Sequence, residues 1–137
     1  MDLYDYALSF FSDTHTNTSF GELHKLPRYL YHGTCKEYLP SILKNGLSPK
    51  TKYLINYPVH LTSDENEAYR YARICVEFLI HDKTGKWPEE NETNLDKEAV
   101  VIEIDTSKID SSFKSNVEWY TTTDIIPTIA FNRIIYY

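Results

Sequence analysis

Two histidines and one glutamate have the type and setting for chemistry. His32 lies in Leu30-Tyr31-His32-Gly33-Thr34, His60 in Val59-His60-Leu61-Thr62-Ser63-Asp64, and Glu118 in Ser115-Asn116-Val117-Glu118-Trp119. Each histidine stands where a short apolar run gives way to a helix-capping pattern. Strand ends at loops are where sites are commonly built. Gly33 has no side chain, so another group can approach its backbone closely. Thr34 offers a hydroxyl, which a helix N-cap explains equally well. A carboxylate such as Glu118, beside a sugar carbon that gains positive charge, favours glycosidic cleavage. The charge it stabilises exists only in the transition state. Asn116, two residues earlier, shares that face of a strand and would read an acceptor. Tyr69 and Tyr71 follow the second histidine and are candidates for stacking on a flat ring, although Tyr71 also fits a buried helical stripe.

Each of these residues has a structural reading too. His32 in an aromatic run is a satisfied core histidine, and Glu118 is the polar member of an alternating strand. Rival chemistries find less support. There is no His-x-x-x-His, and His15, His24 and His81 sit in polar surroundings, so no metal site is expected. There is no Gly-x-Ser-x-Gly elbow and no Gly-rich phosphate loop. With 4 glycines in the chain, backbone cradling of phosphates is not its main device.

The elements that must position these residues read as follows. At 137 residues, with 42% hydrophobic and 15% aromatic side chains, one domain with a packed core is expected. Residues 2–12 form an amphipathic helix through Leu3, Tyr6, Ala7, Phe10 and Phe11. A polar connector leads to Pro27. Tyr29 to Tyr31 form a strand, and Thr34 with Glu37 opens a helix that ends at Gly46. After a loop at 48–57, Val59 to Leu61 form a strand. Asp64 with Glu67, or Thr62 with Glu65, caps a helix whose inner face is Ala68, Tyr71, Ala72, Cys75 and Leu79. Residues 84–97 are a surface insertion. Ala99 to Ile104 is the strongest strand, 106–115 a loop, and 117–121 and 128–136 further strands. The irregular mixture is α+β. The net charge of −6 argues against a broad nucleic-acid face, leaving room for a local basic patch. No stretch is long and apolar enough to span a membrane. No secretory signal is visible, and Cys35 and Cys75 read as reduced thiols of a cytoplasmic protein.

Tyr31-His32-Gly33-Thr34, followed by Ile42 and Asn45-Gly46-Leu47, resembles the opening motif of the ADP-ribosyltransferase superfamily. The likeness is to its histidine branch, which includes diphtheria toxin and the poly-ADP-ribose polymerases. Val59-His60-Leu61-Thr62-Ser63-Asp64 with Ala68 and Tyr71 is similar to the second motif. Ser115-Asn116-Val117-Glu118 is similar to the catalytic glutamate strand. The resemblance covers residues 28–137 and leaves 1–27 as an N-terminal helix and connector. It implies a split β core of two small antiparallel sheets with flanking helices, binding NAD as co-substrate. His32 would hydrogen-bond the adenosine-side ribose, and the Gly33 backbone would hold the nicotinamide amide beside Thr34. His60 or Tyr71 would contact the nicotinamide ribose or ring. Glu118 would orient that ribose and stabilise the oxocarbenium, and Asn116 would select the acceptor. The implied activity is mono-ADP-ribosyl transfer to a protein or nucleic acid. Small transferases of this kind are often toxins or effectors with an antitoxin or immunity protein.

One residue departs from the pattern. An aromatic usually stands where this chain has His60. The double histidine also resembles the RNA 2′-phosphotransferases, which share this core and use NAD to remove a phosphate. Those enzymes carry an extra N-terminal lobe that residues 1–27 are too short to form, so phosphotransfer is the second expectation. A catalytically inactive nucleotide- or protein-binding module of the same fold is the third.

Overall fold

The computed structural model describes residues 26–52, 55–89, 94–116 and 119–137. The expected N-terminal helix at 2–12 and the candidate Glu118 lie outside them. The elements, in order, are β1 (Tyr29–Cys35), α1 (Leu39–Asn45), β2 (Lys50–Lys52), β3 (Ile55–Tyr57), β4 (Val59–Thr62), α2 (Glu65–Thr84), α3 (Asn94–Glu98), β5 (Ala99–Asp105), β6 (Lys114–Asn116), β7 (Trp119–Thr122) and β8 (Phe131–Tyr136). The architecture is α+β. Six strands form one antiparallel sheet in the order β6-β7-β4-β1-β5-β8, and β2 pairs with β3 separately. The two small sheets expected are the two halves of this six-stranded sheet, beside the separate β2–β3 pair. They are joined across β1 and β4 by a single register position, Tyr31 with Thr62, whereas β1 pairs with β5 from Tyr29↔Asp105 to Cys35↔Ala99.

β5 is buried along its whole length. This is what a run of Val100, Val101 and Ile102 demands when both faces of a strand are covered. On one face Leu30, Val100, Ile102 and Ile104 meet Val59, Leu61, Phe113 and Ile126. On the other lies α2, where Cys35, Ala72, Val76, Leu95 and Ala99 make a second cluster. Leu95 belongs to α3, so part of the expected surface insertion is a core-anchored helix.

Helix α2 starts where Asp64 accepts a hydrogen bond from the Asn66 N–H at 2.8 Å. Glu67 does not close a capping box and instead accepts from Arg70. The helix ends at Gly85, whose φ of 75° suits glycine in the left-handed region. Gly46 closes α1 in a similar way, with its N–H on the Ile42 carbonyl.

Thr34 does not cap a helix. β1 continues through it to Cys35, and α1 begins only after a single 3-10 turn, Lys36–Tyr38. The Thr34-x-x-Glu37 pattern loses because β5 offers β1 a complete row of ladder partners, and both Thr34 and Cys35 are buried there. The expected single strand at 117–121 is also revised. β6 ends at Asn116 and β7 starts at Trp119, and these two residues pair in antiparallel register. Asn116 therefore belongs to a different strand from Trp119. Residues 48–57 and 106–115, expected as loops, contribute β2, β3 and the start of β6, and 128–136 opens with a 3-10 turn before β8.

Asp105 closes β5 and ties it to the chain entering β1. Its carboxylate accepts from Arg28 Nε at 2.9 Å and from the Ser107 N–H and hydroxyl at 3.0 and 2.6 Å. The Arg28 hydrogen bond, then that of Ser107, holds this carboxyl well below the usual carboxylate range. A depressed folded-state value means stability that is present above the unfolded value of about 4 and is lost as pH falls below it. Asp105→Asn is thus expected to lower the urea midpoint at pH 7. The gap from the unsubstituted protein should shrink steadily below about pH 4. A gap that stays constant down to acid conditions would contradict this.

Candidate functional site

The two histidines meet at the narrow join of the sheet. His32 Nδ1 lies 2.9 Å from the His60 carbonyl oxygen. His60 Nδ1 lies 3.0 Å from the Pro58 carbonyl. A carbonyl only accepts, so each Nδ1 carries the proton and donates. A neutral ring then presents Nε2 as an acceptor. The sheet explains why His32 can reach across. Beyond Tyr31↔Thr62 the two strands share no further register position among the described residues, so a side chain of β1 bonds the main chain of β4.

His60 is buried, and its ring faces Trp119 edge-on at 6.4 Å between centroids. Trp119 meets Tyr71 of α2 at 5.0 Å, again edge-on. The second motif, the helix after it and the start of β7 therefore converge on one aromatic group. Tyr69 is engaged elsewhere, hydrogen-bonding Asp96 and packing on Tyr137. Of the sequence-derived candidates, His60 and Tyr71 come together through Trp119, and His32 joins them only by its bond to the His60 carbonyl. Asn116 ends the strand beside Trp119, and Glu118 lies outside the described residues.

Gly33 has a structural cause of its own. A Cβ there would lie 1.9 Å from the Ala68 carbonyl oxygen and 2.8 Å from the Ala72 nitrogen. The helix presents small residues at this point, Ala68 and Ala72, and the strand presents none, so the two backbones touch. A backbone clamp on a ligand would use the Gly33 N–H and C=O, atoms distinct from the position that α2 fills. Alternation along β1 puts His32 and Thr34 on the opposite face from Gly33.

Two features were missed from the sequence. Trp119 is the hub of the aromatic group; its signal was its position directly after Glu118. Glu103, a lone charge in Val-Val-Ile-Glu-Ile, accepts from Asn132 at 2.6 Å and pairs with Arg133 at 3.1 Å. Tyr31 bonds it as well. A register shift in the β5–β8 ladder lets consecutive residues of β8 reach the same carboxylate. Burial pushes the Glu103 carboxyl up, but bonds from Arg133, Asn132 and Tyr31 outweigh it and leave the group lowered and ionised. Arg133 also reaches Glu65 in the first turn of α2. The network thus braces β1, next to His32, against the start of the helix that carries Tyr71.

Among the described residues no helix is long and apolar enough to cross a membrane, and no group of three or more His, Cys, Asp or Glu is arranged to hold a metal. Together these observations define, among the described residues, an α+β fold with a six-stranded antiparallel sheet, a separate two-stranded pair, and two histidines at the narrow join of β1 and β4. No protein-family model matches the chain. Over 47 residues it is 49% identical to a probable RNA 2′-phosphotransferase of Thermococcus kodakarensis. That stretch is 34% of this chain and 23% of that protein.

Proposed function

We propose that the chain carries an NAD-dependent RNA 2′-phosphotransferase site of the ADP-ribosyltransferase-like type. The observation that carries this reading is the likeness to the Thermococcus kodakarensis protein. It reverses the order expected from the sequence, in which mono-ADP-ribosyl transfer stood first. The double histidine, His32 with His60, is the sequence feature that agrees with it.

The donor set is suited to NAD. His32 is assigned the contact to a ribose hydroxyl, and its Nδ1–H, committed to the His60 carbonyl, fixes the ring in place. Tyr71, Trp119 and His60 supply aromatic faces and edges for a flat ring. NAD would supply an anomeric carbon made reactive by its nicotinamide leaving group. Glu118 is assigned the carboxylate that stabilises positive charge on that sugar. Gly33 is assigned the backbone clamp, Thr34 a supporting contact, and Asn116 the acceptor.

The test uses a short RNA bearing one internal 2′-phosphate, incubated with and without NAD and followed by mass spectrometry. NAD-dependent loss of the phosphate, with nicotinamide released, is the expected result. An RNA that keeps its phosphate in the presence of NAD overturns the reading. A second reading rests on Ser115-Asn116-Val117-Glu118: ADP-ribose is transferred to a protein or nucleic acid and stays there. A toxin or effector role, an antitoxin partner and a cytoplasmic setting belong with that reading. Nicotinamide release accompanied by a macromolecule heavier by ADP-ribose would select it. Binding of NAD without turnover would select the inactive module.

A further inference from the structure

The two cysteines are 40 residues apart in sequence, yet their sulfurs lie 3.6 Å from each other. Both are thiols. Cys35 ends β1 and is fully buried; Cys75 lies on α2 and is partly exposed. We propose that Cys35 and Cys75 form a reversible intramolecular disulfide by exchange with a small-molecule disulfide such as oxidised glutathione.

Three observations support it. The sulfurs need to close by only about 1.6 Å to reach the bonded distance of about 2.0 Å. The exposures divide the roles: the partly exposed Cys75 meets the oxidant and the buried Cys35 resolves. The S–H of Cys75 points at the Cys35 sulfur, so the two sulfurs already face each other. Tyr38 stands beside the pair as a neutral phenol, pushed up to about 12 chiefly by burial.

The step balances. The Cys75 sulfur, after losing its proton to solvent, attacks one sulfur of the small disulfide and expels one thiolate. Cys35 then loses its proton, attacks the Cys75 sulfur of the mixed disulfide and expels the second thiolate, and the two expelled thiolates take up the two protons. The small disulfide is reduced to two thiols, and the protein loses two protons and two electrons. The crosslink would join β1, which carries His32, to α2, which carries Tyr71 one turn before Cys75. It is thus a covalent clamp between two elements of the candidate site, and its chemistry holds whatever that site acts on.

The full chain is incubated with oxidised glutathione over a range of ratios to the reduced form, quenched in acid, alkylated in denaturant and weighed intact. The expected product is a monomer about 2 Da lighter, with both cysteines protected together and no glutathione retained. Dithiothreitol should reverse it, and the oxidised form should unfold at higher urea. Cys75→Ser should keep its circular dichroism spectrum and give no crosslink. One glutathione retained on Cys75 with Cys35 still open to alkylation would overturn the proposal. So would disulfides found only between chains, or a crosslink that forms only in denaturant.

Discussion

Gly33→Ala is expected to destabilise the protein by at least about 3 kcal/mol, the upper range for overpacking. The new methyl would sit 1.9 Å from a backbone oxygen of α2 and 2.8 Å from a backbone nitrogen. Neither neighbour is a flexible side-chain tip, so the helix must move as a body. That movement would open the contact of Cys35 with Ala72 and Val76. Gly85→Ala is the control. Its φ of 75° strains an L residue, but nothing lies within 4 Å of the added carbon. Its cost should be about 1 kcal/mol. Urea unfolding of the two variants checks the comparison. Equal midpoints would mean that α2 is not held against β1 as tightly as described.

His32→Ala is expected to lower NAD-dependent turnover by roughly 100-fold, the loss typical of one well-placed polar contact to a reacting group. It should cost only about 1 kcal/mol of stability, the net worth of one hydrogen bond. The two effects come from different atoms. Stability is lost with the Nδ1 bond to the His60 carbonyl, and activity with the Nε2 end. Turnover measured well below the unfolding midpoint, with NAD at saturation, separates them. A variant that unfolds early but turns over normally once folded would leave His32 with a structural role alone.

Local chemistry was legible wherever the chain decides by itself. Gly46 and Asp64 closed and opened helices as their types require. The apolar run at Val100 to Ile104 became the most buried strand. What failed was set by distant partners. Thr34 and Glu37 carry a sound local capping signal, but the pairing of β1 with β5 is worth more than one cap. Asn116 reads as sharing a strand face with Glu118, whereas its pairing with Trp119 on a separate strand is set by the sheet. The nearness of Cys35 and Cys75, and the three partners of Glu103, arise from packing across the sheet. Of the candidate site, the two histidines and Tyr71 are legible only as residue types near junctions. Trp119 is not, because its role depends on α2 lying above β7.

The bond from His32 to the His60 carbonyl replaces a main-chain rung with a side-chain one at the place where the strands part. An imidazole whose Nδ1 faces a carbonyl keeps that proton in both its neutral and cationic forms. The rung therefore depends on the ring's orientation and not on its charge. A side chain that closes a gap between two strands is held at both ends, by its own backbone and by its neighbour's carbonyl, and so stands ready in one pose before anything binds.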